Sequence, residues 1–218
     1  MIVNYFYTGD FPRVLYQDLE AYTFINSKGY NKCYAHKWSL LNRFKFKSPV
    51  DIDFTISFKK ANDFLITSNR GDTKNLGKSV IFPVGNMVEE DKLVFQITAN
   101  ICFYTKEKCF LEQCHPEQSF PDLKLIKGKF DISKWMRPIS LAFEAQKKHQ
   151  RIVITRRDIL CEFVFHADKI SEPIKLVENT NPSPDLIKFA KDNASVTSFT
   201  TNAKNLIQKG SELIKRFI

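Results

Sequence analysis

Long apolar runs are missing from this chain of 218 residues, so no segment reaches the length that crosses a bilayer as a helix. No charged-then-apolar leader precedes the first strand-like run, Ile2–Tyr7, so the expectation is a soluble protein not exported through a signal peptide. Cysteine is scarce and odd in number, five residues, which argues against a disulfide framework and for reduced, mostly buried thiols in a reducing compartment. Glycine is also sparse, at seven residues. Neither a Gly-x-Ser-x-Gly elbow nor a phosphate-cradling glycine loop can be placed, which removes two common enzyme designs. Crossover helices are absent too, and without them an open parallel α/β sheet cannot be built.

What is abundant is phenylalanine. Twenty Phe supply a large apolar area, so a substantial core can form without metals or disulfides. Hydrophobic residues at 43% and charged residues at 26% exclude wholesale disorder. The formal charge of +9 is diffuse, with bases and acids interleaved as in Lys106-Glu107-Lys108 and Arg156-Arg157-Asp158. Such a surface associates weakly with any polyanion, but it lacks the basic stripe with stacking aromatics that specific nucleic-acid binding requires.

From residue 1 to about 178 the pattern is strand after strand. Val50–Phe58 is the clearest: Val50, Ile52, Phe54, Ile56 and Phe58 alternate with Asp51, Asp53, Thr55 and Ser57, which puts one set in a core and the other in water. Leu93, Phe95 and Ile97 repeat the device, as do Leu141 with Phe143 and Ile152 with Ile154. Ile159–Phe165 is apolar but for Glu162, the mark of a strand covered on both faces. Further strands are expected at Phe64–Thr67, Ser79–Phe82, Ile101–Thr105, Cys109–Gln113 and Ile174–Val177, while Tyr16–Ile25 and Ala35–Leu41 leave room for helical turns. Turn residues such as Asn69-Arg70-Gly71-Asp72 and Lys127-Gly128 separate the strands. The expected fold is all-β: an antiparallel β-sandwich of jelly-roll or double-stranded β-helix type over residues 1–178.

Composition changes at residue 179. A linker, 179–184, ends in Ser183-Pro184-Asp185, which reads as an N-cap, a first-turn proline and a first-turn acid opening a helical tail, 185–218. In the tail Phe199, Ala203, Leu206, Gly210, Leu213 and Phe217 recur at spacings of four and three. Three uses fit this seam: a helix docked on its own sheet, a contact through Phe199, Leu206, Leu213 and Phe217 with a partner or second copy, and a basic helix on a membrane surface.

Two constellations suggest metal chemistry. His115 and Glu117, spaced as His-x-Glu, with His166 further on, match the two-His, one-carboxylate set that leaves positions open on Fe(II). Their spacing resembles that of 2-oxoglutarate-dependent oxygenases, with Lys175 where a cation would hold the 2-oxoglutarate carboxylate. His-x-Glu is a short pattern among turn residues, and a solvated loop explains it equally. Zinc through Cys109, Cys114 and His115, with Cys102, or through Cys33 and His36, lacks the paired knuckle spacing of structural sites, so buried free thiols are the expectation.

Three segments carry a resemblance: Phe46-Lys47-Ser48-Pro49-Val50-Asp51, Gly128–Pro138 with its Trp135-Met136-Arg137-Pro138, and Ile152–Leu160. Over about residues 32–177 the chain resembles a family of uncharacterised proteins of tailed marine phages, the cyanophage-type myoviruses. Family members commonly show Arg-Gly-Asp at Arg156-Arg157-Asp158 and Cys-Pro-Ala at Cys33-Tyr34-Ala35. Their counterpart of His115-Pro116-Glu117 is proline-rich without that spacing, so iron ligation is not implied by the resemblance. What it implies is a viral origin, in the host cytoplasm or the virion. The leading expectation is therefore a structural or interaction module whose C-terminal helices mediate assembly. An Fe(II)/2-oxoglutarate oxygenase and a small-ligand or sugar-binding β-sandwich are the alternatives.

Overall fold

The computed structural model describes residues 1–8, 19–21, 33, 35, 39–48, 51–60, 63–69, 80–81, 92–116, 120, 122–156, 158–169, 173–194 and 208–215. These hold fourteen strands: β1 (Ile2–Tyr7), β2 (Leu19–Ala21), β3 (Arg43–Lys47), β4 (Ile52–Lys60), β5 (Asp63–Ser68), β6 (Val80–Ile81), β7 (Leu93–Tyr104), β8 (Cys109–Cys114), β9 (Leu123–Leu125), β10 (Gly128–Asp131), β11 (Pro138–Ala145), β12 (His149–Ile154), β13 (Ile159–Ala167) and β14 (Lys175–Glu178). One helix, α1 (Pro184–Ala194), follows them, and residues 208–215 are helical again.

Three sheets form a β-sandwich. A six-stranded sheet runs β14-β1-β7-β11-β9 with β6 also on β7, a five-stranded sheet runs β10-β8-β13-β3-β2, and a three-stranded sheet runs β12-β4-β5. Pairing is antiparallel except between β1 and β14. Alternation explains which side of each strand is buried. On β4, Ile52, Phe54, Ile56 and Phe58 enter the core. The opposite face holds Asp53, which accepts a forked pair of bonds from Arg151 at 3.0 and 2.8 Å. Phenylalanine rings join the sheets: Phe103 of β7 meets Phe163 and Phe165 of β13, and Phe54 of β4 meets Phe95 of β7. The five- and three-stranded sheets therefore both pack on the six-stranded one.

Some expectations are adjusted. Leu19–Ala21 is a strand on β3, where the sequence left room for a helical turn, because Phe44 and Phe46 set up an alternating strand whose edge accepts it. The runs at Leu93–Ile97 and Ile101–Thr105 belong to one twelve-residue strand. Asn100 sits between them in the left-handed region, φ 52°, where Asn is better tolerated than other side chains. There the register against β11 slips, and Thr8 N donates to the Asn100 carbonyl at 2.8 Å.

The segment Gly128–Pro138 is a corner. Asp131 Oδ1 accepts from Ser133 N at 2.9 Å, its carbonyl accepts from Trp135 N, and Trp135 stacks edge-on against Phe130 with Arg137 over its ring at 5.2 Å. The corner aims Met136 at the outside of the six-stranded sheet, where Phe6, Cys102 and Tyr104 form a second apolar cluster.

The helices cover that cluster. Ser183 caps α1 through its Oγ, which accepts from Leu186 N at 3.2 Å, and Asn193 Nδ2 donates to the Met136 carbonyl at 3.0 Å. Leu186, Phe189 and Ala190 pack on the sheet, and Ile214 of the last helical stretch joins them with 1% exposure. Gly210 lets this stretch approach closely: a Cβ there would meet the Lys134 carbonyl and the Phe189 ring at 3.1 Å. Ile214→Ala is expected to lower unfolding free energy by about 2–5 kcal/mol in urea melts. Glu212→Ala on the exposed side should change it by less than about 0.5 kcal/mol. Equal, negligible effects of both would show that the last helix is not docked.

Candidate functional site

The two histidines of the sequence-derived iron set do not come together. Cys114, the last residue of β8, opposes Glu162, whereas His166 opposes Phe110. His115 thus lies five positions along the β8 direction from the point opposite His166, roughly 16 Å at the rise of a strand. Lys175 is exposed on β14 beside Ile2, in the other layer. Glu117 lies outside the described residues, as do Phe199, Leu206 and Phe217 of the tail seam. Leu213, the seam's remaining residue, is half-buried against the second apolar cluster. Among the described residues, no group of three His, Cys, Asp or Glu is arranged to hold a metal ion.

Cys102, Cys109 and Cys161 are buried core residues, whereas Cys114 is half-buried and Cys33, against the expectation of a buried thiol, is exposed. Cys109 and Cys114 are five residues apart on one strand, so they occupy opposite ends and opposite faces. Burial pushes the Cys109 thiol up to about 12, and burial likewise raises Cys102 and Cys161 well above the ordinary range. Such thiols stay protonated and are poor metal ligands.

A different set of residues does come together, on the outer face of the five-stranded sheet. Alternation turns Phe163 and Phe165 inward, so Glu162, Val164 and His166 face outward, beside Arg43 and Lys45 of β3 and Glu112 of β8. Glu162 is nonetheless 0% exposed, as the unbroken apolar run around it implied. A carboxylate so enclosed needs a partner, and Arg43 Nη1 donates to its Oε2. Arg43 Nε donates to the Ser39 carbonyl at 3.2 Å, so the guanidinium is held at two points. Next along the face, His166 Nε2 bonds Glu112 Oε2 at 2.8 Å, and Lys129 of β10 approaches the same oxygen at 3.8 Å.

Asn42 closes the end of this arrangement. Its φ of 59° is again left-handed, which turns the chain sharply into β3. Its carbonyl accepts from Phe165 N at 2.9 Å, and its Oδ1 accepts from Ile174 N at 2.7 Å. Through its backbone carbonyl and its side chain this one residue therefore ties the start of β3 to the end of β13 and the approach to β14. Between these elements lies a pocket of about 340 Å³, lined by apolar Leu41, Val164 and Ala167 and by polar Ser39, Arg43 and His166. Concave apolar walls with a few oriented polar groups are the general form of a small-ligand site.

Of these residues the sequence singled out His166, for a different chemistry, and Glu162, as the polar exception in an apolar strand. Arg43 was findable, because Glu162 within an apolar strand demands a cation and Arg43-Phe44-Lys45-Phe46-Lys47 alternates like a strand. Glu112 and Asn42 carry no comparable signal.

Arg43→Met should cost about 3 kcal/mol in urea melts by removing the charged partner of a buried carboxylate, and Glu162→Gln in the same chain should restore part of that loss. Equal stability of the single variant and the wild type would show that Glu162 does not depend on Arg43. Desolvation, with Lys127 second, lowers the His115 pKa from its ordinary 6.5. The folded state then binds its proton less readily than the unfolded chain, so stability present above 6.5 is lost as pH falls through the folded value. His115→Gln should match wild type at pH 7.5 and lose less stability than wild type by pH 5; identical pH profiles would contradict this. In comparisons with known proteins, the chain matches no protein-family model and no curated protein.

Proposed function

We propose that this protein is a recognition module of a tailed phage, binding its target in the pocket where β3 meets β13. The pocket carries the reading: its polar groups are oriented before any ligand arrives, Arg43 by Glu162 and the Ser39 carbonyl, His166 by Glu112. Preorganised groups bind more tightly because less freedom is lost on association. The resemblance of residues 32–177 to phage proteins supports the viral setting. The tail seam contributes less to this reading than the pocket does, since Gly210 and Leu213 are turned onto the protein's own apolar cluster. A β-sandwich that binds a small ligand or the end of a partner chain is the form of interaction module that fits.

Val164→Trp fills the pocket from the outer face and leaves the core rings in place. In thermal melts against fractionated small-molecule extract of phage-infected cells, a wild-type stabilisation absent from Val164→Trp is the expected result. A ligand at a hundredfold excess over its dissociation constant contributes about 2.7 kcal/mol. A shift of equal size in the variant would place binding elsewhere and defeat the proposal.

A further inference from the structure

The pocket's chemistry narrows its ligand. Arg43 and Val164 are direct cross-strand partners, and His166 is two residues beyond Val164 on the same face. Arg43 and His166 are thus diagonal neighbours, with Cα atoms roughly 7–8 Å apart, close enough for both side chains to reach one group. The bonds already made leave specific atoms over. Arg43 uses Nε and Nη1, and its Nη2 meets no acceptor among the described residues. His166 uses Nε2, and its Nδ1 has no partner among the described residues. The two acids nearby are already engaged, Glu162 by Arg43 and Glu112 by His166 and Lys129. An acceptor entering the pocket therefore meets an N–H of Arg43 and a ring nitrogen of His166 without displacing a carboxylate.

We infer that the pocket takes a small organic monocarboxylate, with one carboxylate oxygen on Arg43 Nη2, the other on Nδ1–H of the imidazolium form of His166, and an apolar body along Leu41, Val164 and Ala167. This rests on the pocket being the binding site and adds the class of ligand. The Nη2 left over offers one charge-assisted N–H to an anion, the imidazole supplies the second donor, and the apolar walls favour a carboxylate with an apolar body over a bare oxyanion. With Nε2–H given to Glu112, Nδ1 is a donor only when the ring carries a proton on both nitrogens. About 340 Å³ accommodates a ring or a short chain beyond the carboxylate.

The test is a titration of the full-length protein with benzoate, followed by the backbone amide signals of Val164 and Ala167 and the imidazole signals of His166. Benzamide is the neutral control and inorganic phosphate the competing anion. The expected result is saturable benzoate shifts at those positions, with benzamide and phosphate at least tenfold weaker. Arg43→Lys keeps a cation beside Glu162 but loses the Nη2 donor, and His166→Asn loses the second donor. Each should weaken benzoate at least fivefold while its melting temperature stays near wild type. Equal shifts with benzamide would overturn the carboxylate assignment and leave the pocket as a binding site. Stronger shifts with phosphate would overturn it in favour of an oxyanion without an apolar body. No shift at Val164, Ala167 or His166 with any of the three would overturn the monocarboxylate assignment, while a ligand stabilisation still lost in Val164→Trp would leave the pocket reading standing.

Discussion

The packing of Phe103 against Phe163 and Phe165 holds this protein together. These rings join the six-stranded sheet to the five-stranded one, and Phe54 against Phe95 does the same for the three-stranded sheet. Each buried ring contributes about 1.5–3 kcal/mol by leaving water, with a further increment for edge-to-face contact. Because interiors are close-packed, the rings also determine which face of β13 is turned inward. Everything on the outer face follows: with Phe163 and Phe165 inside, Glu162, Val164 and His166 must lie outside. A slip of one residue would exchange the two sets and dismantle the pocket.

The polar devices are placed where this core leaves strain or exposed donors. Asn42 and Asn100 both take the left-handed conformation, one turning the chain into β3 and the other accommodating the bulge in β7. The Trp135 corner carries Met136 to the second cluster, and the Met136 carbonyl receives Asn193 from α1. The C-terminal helices are therefore part of the folded body, covering an apolar face of the six-stranded sheet that would otherwise meet water. A docked helix and a partner-binding helix have the same periodic pattern. The distinction lies in what the apolar stripe meets, and Gly210 against Phe189 answers it for the described residues.

How much could be read beforehand varies by element in a physically sensible way. β4, β8, β13 and the N-cap at Ser183 were legible because each rests on a local rule: period two for a strand, a hydroxyl before a first-turn proline for a helix. The all-β sandwich followed from the spacing of such runs. β2, β9 and β10 were not read as strands, being short and paired mainly because a neighbour offers its edge. The metal set read from His115, Glu117 and His166 used separation along the chain, which carries no information about which ends of two strands coincide.

The sequence by itself determined the class of fold, the buried face of each long strand, the need of Glu162 for a partner and the start of α1. All of these depend on interactions within a few residues, or on burial that composition demands. Only the tertiary structure decided that Arg43 is a partner of Glu162, that His166 meets Glu112 instead of His115, and that Asn42 lines the end of a pocket between β3 and β13. Those outcomes depend on strand order and register, which bring β3 against β13 within one sheet across more than a hundred residues of chain. Pairing of that kind is a property of the whole core, and no short segment encodes it.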